Sequence, residues 1–193
     1  MKLATFLALA VVLMIPRAVD AAPGSSSSPA PGGANQRSAL QGCANQWLFD
    51  GIWRLKVDSV TPLSDPDMAG YFGWGVTVEL RNGTSADYTP ISTGFQNLEL
   101  AFADGSTLQV DATTQGELDA QVLEYHDFPQ ATGFKHKLTF WYPANTQQSA
   151  VQKPVKFVVL IDPTYRAQHA DSGQPNYTTA NPSFRVMLNC PSK

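Results

Sequence analysis

Residues 46–60 read Gln-Trp-Leu-Phe-Asp-Gly-Ile-Trp-Arg-Leu-Lys-Val-Asp-Ser-Val and open the folded domain. Asp50-Gly51 lies between two apolar runs, which is typical of a tight turn. Beyond it, apolar residues alternate with charged ones, namely Trp53, Leu55 and Val57 with Arg54, Lys56 and Asp58. Alternation with a period of two indicates a strand that has one face in a core and the other in water. The stretch therefore predicts β-structure.

Similar strand patterns recur to the end of the chain, separated by turn residues. They cover residues 72–80, 98–102, 108–110, 135–142, 155–161 and 184–188. Asp104-Gly105 predicts a second hairpin, and the nearly continuous apolar run 155–161 predicts a central strand. Only residues 113–132 suggest a helical turn or two, with Leu118, Val122 and Tyr125 on one face. Seven or eight short strands without a helix repeat predict an all-β, antiparallel, two-sheet sandwich.

The 193 residues divide into three parts. Residues 1–21 resemble a signal peptide, because a positive start precedes an apolar run too short to cross a bilayer. Residues 22–42 are rich in Ser, Pro and Gly and predict a disordered linker. Residues 43–190 form the predicted sandwich. We therefore expect a secreted protein, periplasmic or extracellular, with no membrane span in the mature chain.

Charge and cysteine content narrow the function classes further. The formal net charge is −3, and Lys and Arg form no cluster, so we expect no nucleic-acid partner. Cys43 and Cys190 are the only cysteines and flank the domain. In a secreted chain they are expected to pair. Closing so long a loop lowers the entropy of the unfolded chain and thereby stabilises the fold by roughly 5 kcal/mol. We therefore expect the bond to have a structural role.

Three segments resemble a known family. They are Leu80-Arg81-Asn82-Gly83-Thr84, Asp104-Gly105 and the run Gly-Phe-Lys-His-Lys-Leu-Thr-Phe-Trp-Tyr-Pro at 133–143. Together they are similar to the bacterial telokin-like, immunoglobulin-type extracellular domains of unknown function, over about residues 53–162. The resemblance implies an immunoglobulin-like sandwich that follows a signal peptide and a linker. It implies no catalytic residues.

No set of residues forms a coherent catalytic or metal site. The histidines His126, His136 and His169 lack metal-ligand spacing, and a Gly-x-Ser-x-Gly motif is absent. A hydrolase that uses acids of the irregular segment, Glu117, Asp119, Glu124 and Asp127, is the weakest alternative. Calcium could bind aspartates in turns, Asp65, Asp67, Asp104 and Asp111, although the EF-hand spacing is absent. We expect no cofactor and no metal.

The aromatic residues suggest a ligand surface. Trp141 falls on the outward phase of its strand and Trp74 lies near a strand start, so both are candidates for an exposed ligand-binding face. A second sheet packed across them would explain both more simply. The sequence therefore favours a non-enzymatic binding or interaction module at the cell envelope or outside the cell, with a protein partner. The alternative is a carbohydrate-binding module that stacks a polysaccharide on exposed tryptophans.

Overall fold

The computed structural model describes residues 39–64, 71–109, 115–169 and 175–191. Within these ranges the chain forms nine strands and two α-helices. The strands are β1 (Leu40–Cys43), β2 (Leu48–Phe49), β3 (Trp53–Ser64), β4 (Phe72–Asn82), β5 (Phe95–Ala101), β6 (Thr107–Gln109), β7 (Gly133–Trp141), β8 (Lys156–Ile161) and β9 (Phe184–Met187). The helices are α1 (Gln115–Glu124) and α2 (Pro163–His169). The predicted signal peptide and most of the predicted linker lie outside the described residues, and β1 begins at Leu40.

The strands form two sheets. One has the order β1-β9-β8-β5-β6 and the other the order β2-β3-β4-β7. Every pair of strands is antiparallel except β1 and β9, which run parallel. The expectation of a purely antiparallel sandwich is therefore wrong for the five-stranded sheet. These two strands come from opposite ends of the chain, so no short turn forces them to run in opposite directions.

Other predictions from the sequence agree with the strand pairing. Both Asp-Gly hairpins form, since β2 pairs with β3 and β5 pairs with β6. The apolar strand β8 is the middle strand of its sheet. The predicted helical turns become α1, but Val122 and Tyr125 are exposed while Leu123 is buried. The helix thus presents a different face to the core from the one that the sequence suggested. No helix of the described ranges is long and apolar enough to cross a membrane.

The core lies between the two sheets and contains large aromatic side chains. Trp53 of β3 is fully buried and meets Tyr88, Phe95 and Phe128 edge-on, at ring-centroid distances of 6.3, 5.9 and 5.2 Å. Its indole nitrogen donates a 2.8 Å hydrogen bond to the Thr93 hydroxyl. Burying a side chain of this kind contributes roughly 2–3 kcal/mol. Trp53 therefore connects the four-stranded sheet to the segment that leads into the five-stranded one.

The structure contains the disulfide between Cys43 and Cys190, with Cα atoms 5.9 Å apart. Cys43 ends β1, and Cys190 follows β9 by three residues. The bond therefore joins neighbouring strands of one sheet at the two ends of the domain. In antibody domains the conserved disulfide instead links the two sheets.

Candidate functional site

The face of β3, β4 and β7 that points away from the core is called the outer face below. Side chains alternate along a strand, so the residues between the buried valines and leucines point outward. Strand register places them in cross-strand rows, namely Arg54, Arg81 and Gly133; Lys56, Glu79 and Lys135; Ser59, Thr77 and Lys137; Thr61, Gly75 and Thr139; and Leu63, Gly73 and Trp141. The face thus changes from charged at one end to glycine-rich at the other.

The charged end of the outer face is mainly basic. Five basic side chains share the face with two carboxylates, although the whole chain has a formal net charge of −3. The basic residues are Arg54, Lys56, Arg81, Lys135 and Lys137, and the carboxylates are Asp58 and Glu79. An excess of one sign on one surface produces a local potential that attracts groups of the opposite charge. The face is therefore cationic on an acidic protein.

Two exposed aromatic rings lie beside these cations. Trp47 is 39% exposed and Phe49 is 40% exposed. Phe49 belongs to the edge strand β2 and Trp47 directly precedes that strand, while Leu48 between them packs against the core. The Arg54 guanidinium carbon is 4.8 Å from the centre of the Phe49 ring. Adjacent exposed aromatics next to Arg have the composition of a protein interface.

Trp47 is contacted by two cations. Lys56 Nζ lies 4.8 Å and the Arg81 guanidinium carbon 4.7 Å from the centre of its ring. Each such cation–π contact contributes about 0.5–1 kcal/mol at an exposed site. These contacts restrain the orientation of the ring. A preorganised side chain loses less entropy when it binds.

Ion pairs connect the middle of the outer face. Lys56 Nζ is 3.0 Å from both Asp58 and Glu79, and Lys135 Nζ is 2.5 Å from Asp58. Hydrogen bonds from Lys135 and Lys56 lower the pKa of Asp58. Burial acts to raise the pKa of Glu79, but hydrogen bonds from Arg81 and Lys56 outweigh it and lower the pKa. Both carboxylates therefore stay ionised at neutral pH.

A β-bulge places Asp58 in this network. The β3–β4 register shifts between Val57 and Ser59, so Asp58 is an extra residue with no partner of its own in β4. A bulge interrupts alternation and turns a side chain in a new direction. Its carboxylate therefore reaches both Lys56 and Lys135.

Trp141 lies at the other end of the outer face. A Cβ atom added to Gly73 would meet Trp141 Cε3 at 2.9 Å, so the indole ring rests where a side chain of β4 would otherwise stand. The ring is half-buried, as the outward phase of its strand predicts. A ligand role for Trp141 stays a prediction.

Trp74 is not exposed. It is 8% exposed, belongs to the core and donates a 2.9 Å hydrogen bond from Nε1 to the carbonyl oxygen of Gln152. The expectation of an exposed ring is wrong here because Trp74 is on the inner face of β4, where the rest of the core covers it. One side still lines a cavity of about 420 Å³ with Pro62, Phe72 and Val151. Trp74 and Trp141 thus lie on opposite faces and form no continuous planar row.

Asp50 forms a buried polar site in the turn between β2 and β3. Its Oδ1 accepts hydrogen bonds from the backbone N–H of Ile52 at 2.8 Å and of Trp53 at 2.7 Å. The residue is fully buried, and this burial raises the pKa of its carboxyl to about 7. The backbone oxygen of Asp50 accepts a 3.0 Å bond from Thr178 N–H. The carboxyl is enclosed, so we assign it a structural role.

Nearby buried groups hold the segment 175–178 over this turn. The Tyr177 hydroxyl donates to the Thr93 carbonyl at 2.5 Å, and burial raises the pKa of Tyr177. Arg166 is 1% exposed and donates from Nη2 to the Pro175 carbonyl at 2.8 Å and to the Tyr88 hydroxyl at 3.2 Å. These bonds pair polar groups inside the domain and leave no accessible reactive centre among them.

His126 and His136 pack against phenylalanine. His126 stacks on Phe134 at a ring-centroid distance of 4.0 Å, and Phe134 stacks on His136 at 5.5 Å. In the part of the chain that the structure describes, no three residues of the His, Cys, Asp or Glu types come close enough to hold a metal ion. Phe134 separates the two imidazoles.

The side chains of five of the eight candidate acids are not described. Asp65, Asp67 and Asp111 lie outside the described residues, while Glu117 and Asp119 belong to α1 without described side chains. Asp104 accepts hydrogen bonds from Ser106 and Gln152. These bonds lower the pKa of Asp104 to about 2. Both of its oxygens therefore already have partners, Ser106 in the same turn and Gln152 from a later segment of the chain.

Trp47 and Phe49 are not among the site residues predicted from the sequence. A signal for the pair was present, because two aromatics spaced by two precede an Asp-Gly turn and two basic residues spaced by two follow it. A hairpin brings such positions onto the same face of a sheet. The sequence pattern alone does not show, however, which strands lie beside β3, because this depends on the topology of the whole sheet.

No protein-family model matches the chain, and no curated protein matches it. Solved structures that are similar to it include two bacterial proteins. An uncharacterized β-sandwich protein from Clostridium difficile 630 is 6% identical with a TM-score of 0.44, over 81% of this chain and 98% of that one. The YjhA protein from Bacillus subtilis is 11% identical with a TM-score of 0.44, over 76% of this chain and 99% of that one. The two-sheet architecture described above rests on this chain's own strand pairing.

Proposed function

We propose that this protein is a secreted, non-enzymatic binding module of the cell envelope or extracellular space, and that it binds a protein partner through the outer face. The observation that carries the proposal is the exposed pair Trp47 and Phe49 beside a row of cations. An immunoglobulin-like, telokin-like domain type is part of the same proposal. The two packed sheets support it.

The physical argument concerns where binding energy can arise. Trp and Arg are enriched among the residues that dominate protein interfaces, where each anchor contributes roughly 2 kcal/mol or more. Here Trp47 and Phe49 are held by Arg54, Lys56 and Arg81, so little ordering is needed when a partner covers them. Secretion is supported by the apolar N-terminal run, the low-complexity linker and the disulfide.

A polysaccharide is the second candidate ligand, and one observation favours it. The Trp141 ring lies on the backbone of Gly73 and is half-buried, and its accessible part is a suitable platform for a sugar ring. The adjoining outward position in β4 is Gly75, over which the Lys137 side chain lies. This site lies at the opposite end of the outer face from Trp47.

The test compares three variants of the purified protein. Each is used to capture proteins released from the host envelope and is sedimented with insoluble polysaccharides, peptidoglycan included. The variants are Trp47→Ala/Phe49→Ala, Trp141→Ala and the control Tyr125→Ala, which removes a 63% exposed ring outside the outer face. We expect one captured protein to bind the double variant at least tenfold more weakly than it binds wild type. The same protein should bind the control as tightly as wild type.

The other outcomes are equally decisive. Polysaccharide binding that is lost in Trp141→Ala would replace the protein partner by a polysaccharide. Protein capture that is equal in all variants would contradict the outer face as the binding surface. Circular dichroism of each variant checks that the fold is retained.

A further inference from the structure

We infer that the outer face recognises an acidic protein segment in extended conformation, an inference that rests on the proposed function and specifies its partner. Charge complementarity is the first argument. Among the described residues, neither Arg54 nor Lys137 has a carboxylate within ion-pair distance, and both side chains are exposed. Asp58 and Glu79 are already shared among Lys56, Arg81 and Lys135. The face therefore retains cations whose charge a partner can neutralise.

The spacing of these cations fits a strand-like segment. The two cations that retain their charge, Arg54 and Lys137, are outward residues of β3 and β7. Arg54 lies two strands away and two rows further along, roughly 16 Å from Lys137 by ordinary strand geometry. An extended segment of about five residues spans that distance.

The covering of the aromatic rings favours a polypeptide over an acidic polysaccharide. Sugar stacking needs a free ring face, but Arg54 lies over Phe49, and Lys56 and Arg81 lie over Trp47. Arg81 and Lys56 already bind Glu79 and Asp58, whereas no carboxylate of the described residues pairs with Arg54. The guanidinium of Arg54 is therefore open to a partner carboxylate, which a guanidinium binds in a bidentate way. Apolar partner side chains can then pack against the ring edges. Acidic residues interspersed with apolar ones satisfy both requirements.

The experiment measures binding of defined polymers to the full protein by isothermal titration calorimetry at 50 mM and 200 mM salt. The probes are a 20-residue poly-L-glutamate, a peptide of alternating Glu and Val flanked by solubilising Ser, polygalacturonate of matched charge and poly-L-lysine. The test variant is Arg54→Gln/Lys137→Gln. The matched control is Lys156→Gln/Arg185→Gln, which removes two cations from the outward side of the other sheet.

We expect both acidic peptides to bind wild type, and the alternating one to bind more tightly. The affinity of the test variant should be about tenfold lower than that of wild type, and the affinity of the control should stay within twofold of wild type. For wild type, raising the salt concentration from 50 to 200 mM should lower the affinity severalfold. Poly-L-lysine should not bind. Equal losses in the two variants, tighter binding of polygalacturonate, or no peptide binding would each overturn the inference.

The captured partner separates this inference from the proposed function. Loss of capture in Trp47→Ala/Phe49→Ala with full capture in Arg54→Gln/Lys137→Gln would contradict acidic recognition and keep the binding face. Full capture in both would contradict both. Loss in both, with normal capture in Lys156→Gln/Arg185→Gln, is the result that we expect.

Discussion

The two Asp-Gly hairpins of this domain share a motif and a local geometry but differ in their electrostatics. Asp50 Oδ1 accepts the N–H of Ile52 at 2.8 Å, and Asp104 Oδ1 accepts the N–H of Ser106 at 2.9 Å. Burial raises the pKa of Asp50 to about 7, whereas hydrogen bonds from Ser106 and Gln152 lower the pKa of exposed Asp104 to about 2. The motif thus determines the turn, and the surroundings determine the charge.

The two glycines show the same contrast. Gly51 has φ +110° and Gly105 has φ +87°, a region that glycine occupies with little strain. A Cβ on Gly51 would lie 2.5 Å from the backbone nitrogen of Thr178, while a Cβ on Gly105 would meet nothing within 4 Å. One hairpin is covered by a later segment of the chain and the other projects into water. Three matched pairs of substitutions test this difference.

The largest expected effect is the pH dependence of Asp50→Asn. Folding raises the pKa of Asp50 from 3.8 to about 7, so the folded state binds this proton more tightly than the unfolded chain. The free energy of unfolding of the wild type therefore falls by at most about 4 kcal/mol as the pH rises from 4 to 7. Above pH 7 this group causes no further loss. Asn carries no charge and keeps an acceptor for Ile52 and Trp53. Urea unfolding at pH 4, 6 and 8 should show the variant gaining stability relative to wild type over this range.

Asp104→Asn is the control for that measurement. Folding lowers the pKa of Asp104, so its stabilising contribution is present above pH 3.8 and is lost only as the pH falls toward 2. Its difference from wild type should stay constant between pH 4 and 8. A similar slope for both variants would show that burial does not distinguish the two turns.

The second effect is that of alanine at each glycine. Gly51→Ala combines backbone strain with a clash against Thr178 and should destabilise the domain by about 3 kcal/mol. Gly105→Ala adds strain alone and should cost about 1 kcal/mol. Denaturant midpoints with unchanged slopes measure both. Equal costs would mean that the segment over Asp50 moves aside freely.

The smallest effect is that of the hydroxyls beside the turns. The Thr178 hydroxyl donates a 3.1 Å bond to the Asp50 carbonyl in a half-buried site, and the Ser106 hydroxyl donates a 2.7 Å bond to exposed Asp104. Thr178→Val should cost about 1 kcal/mol, and Ser106→Ala should cost less because water can replace its hydrogen bond. Thermal unfolding resolves the order. Ser106→Ala should also raise the pKa of Asp104 toward its ordinary value, which NMR titration of the carboxyl carbon measures.

The sequence predicts local structure more fully than it predicts surroundings. Alternation located β3, β4 and β7, and the Asp-Gly pairs located the hairpins, because these signals involve residues close in the chain. The parallel pair β1 and β9 could not be found in this way, since it joins segments more than 140 residues apart. Short strands such as β1 and β2 also contain too few residues for a period to be read.

The candidate site was only partly predictable for the same reason. The alternation of side chains along β7 correctly places Trp141 on the outward side. Trp74 lies on the inner face of β4, where the core covers it. Trp47 and Phe49 become a pair with Arg54, Lys56 and Arg81 only when β2 folds back along β3 and β4 lies beside it. The bulge at Asp58 cannot be read from periodicity, because an inserted residue breaks the very pattern that locates the strand.

The disulfide between the first and last strands also determines how the domain carries mechanical load. When residues 39 and 191 are pulled apart, the disulfide between Cys43 and Cys190 transmits the force from one end of the domain to the other. The polypeptide between the two cysteines then carries no tension. The outer face, formed by β3, β4 and β7, belongs to this stretch and is not loaded when residues 39 and 191 are pulled apart. Reduction of the bond would transfer an end-to-end force to the hydrogen bonds of β1 and β9.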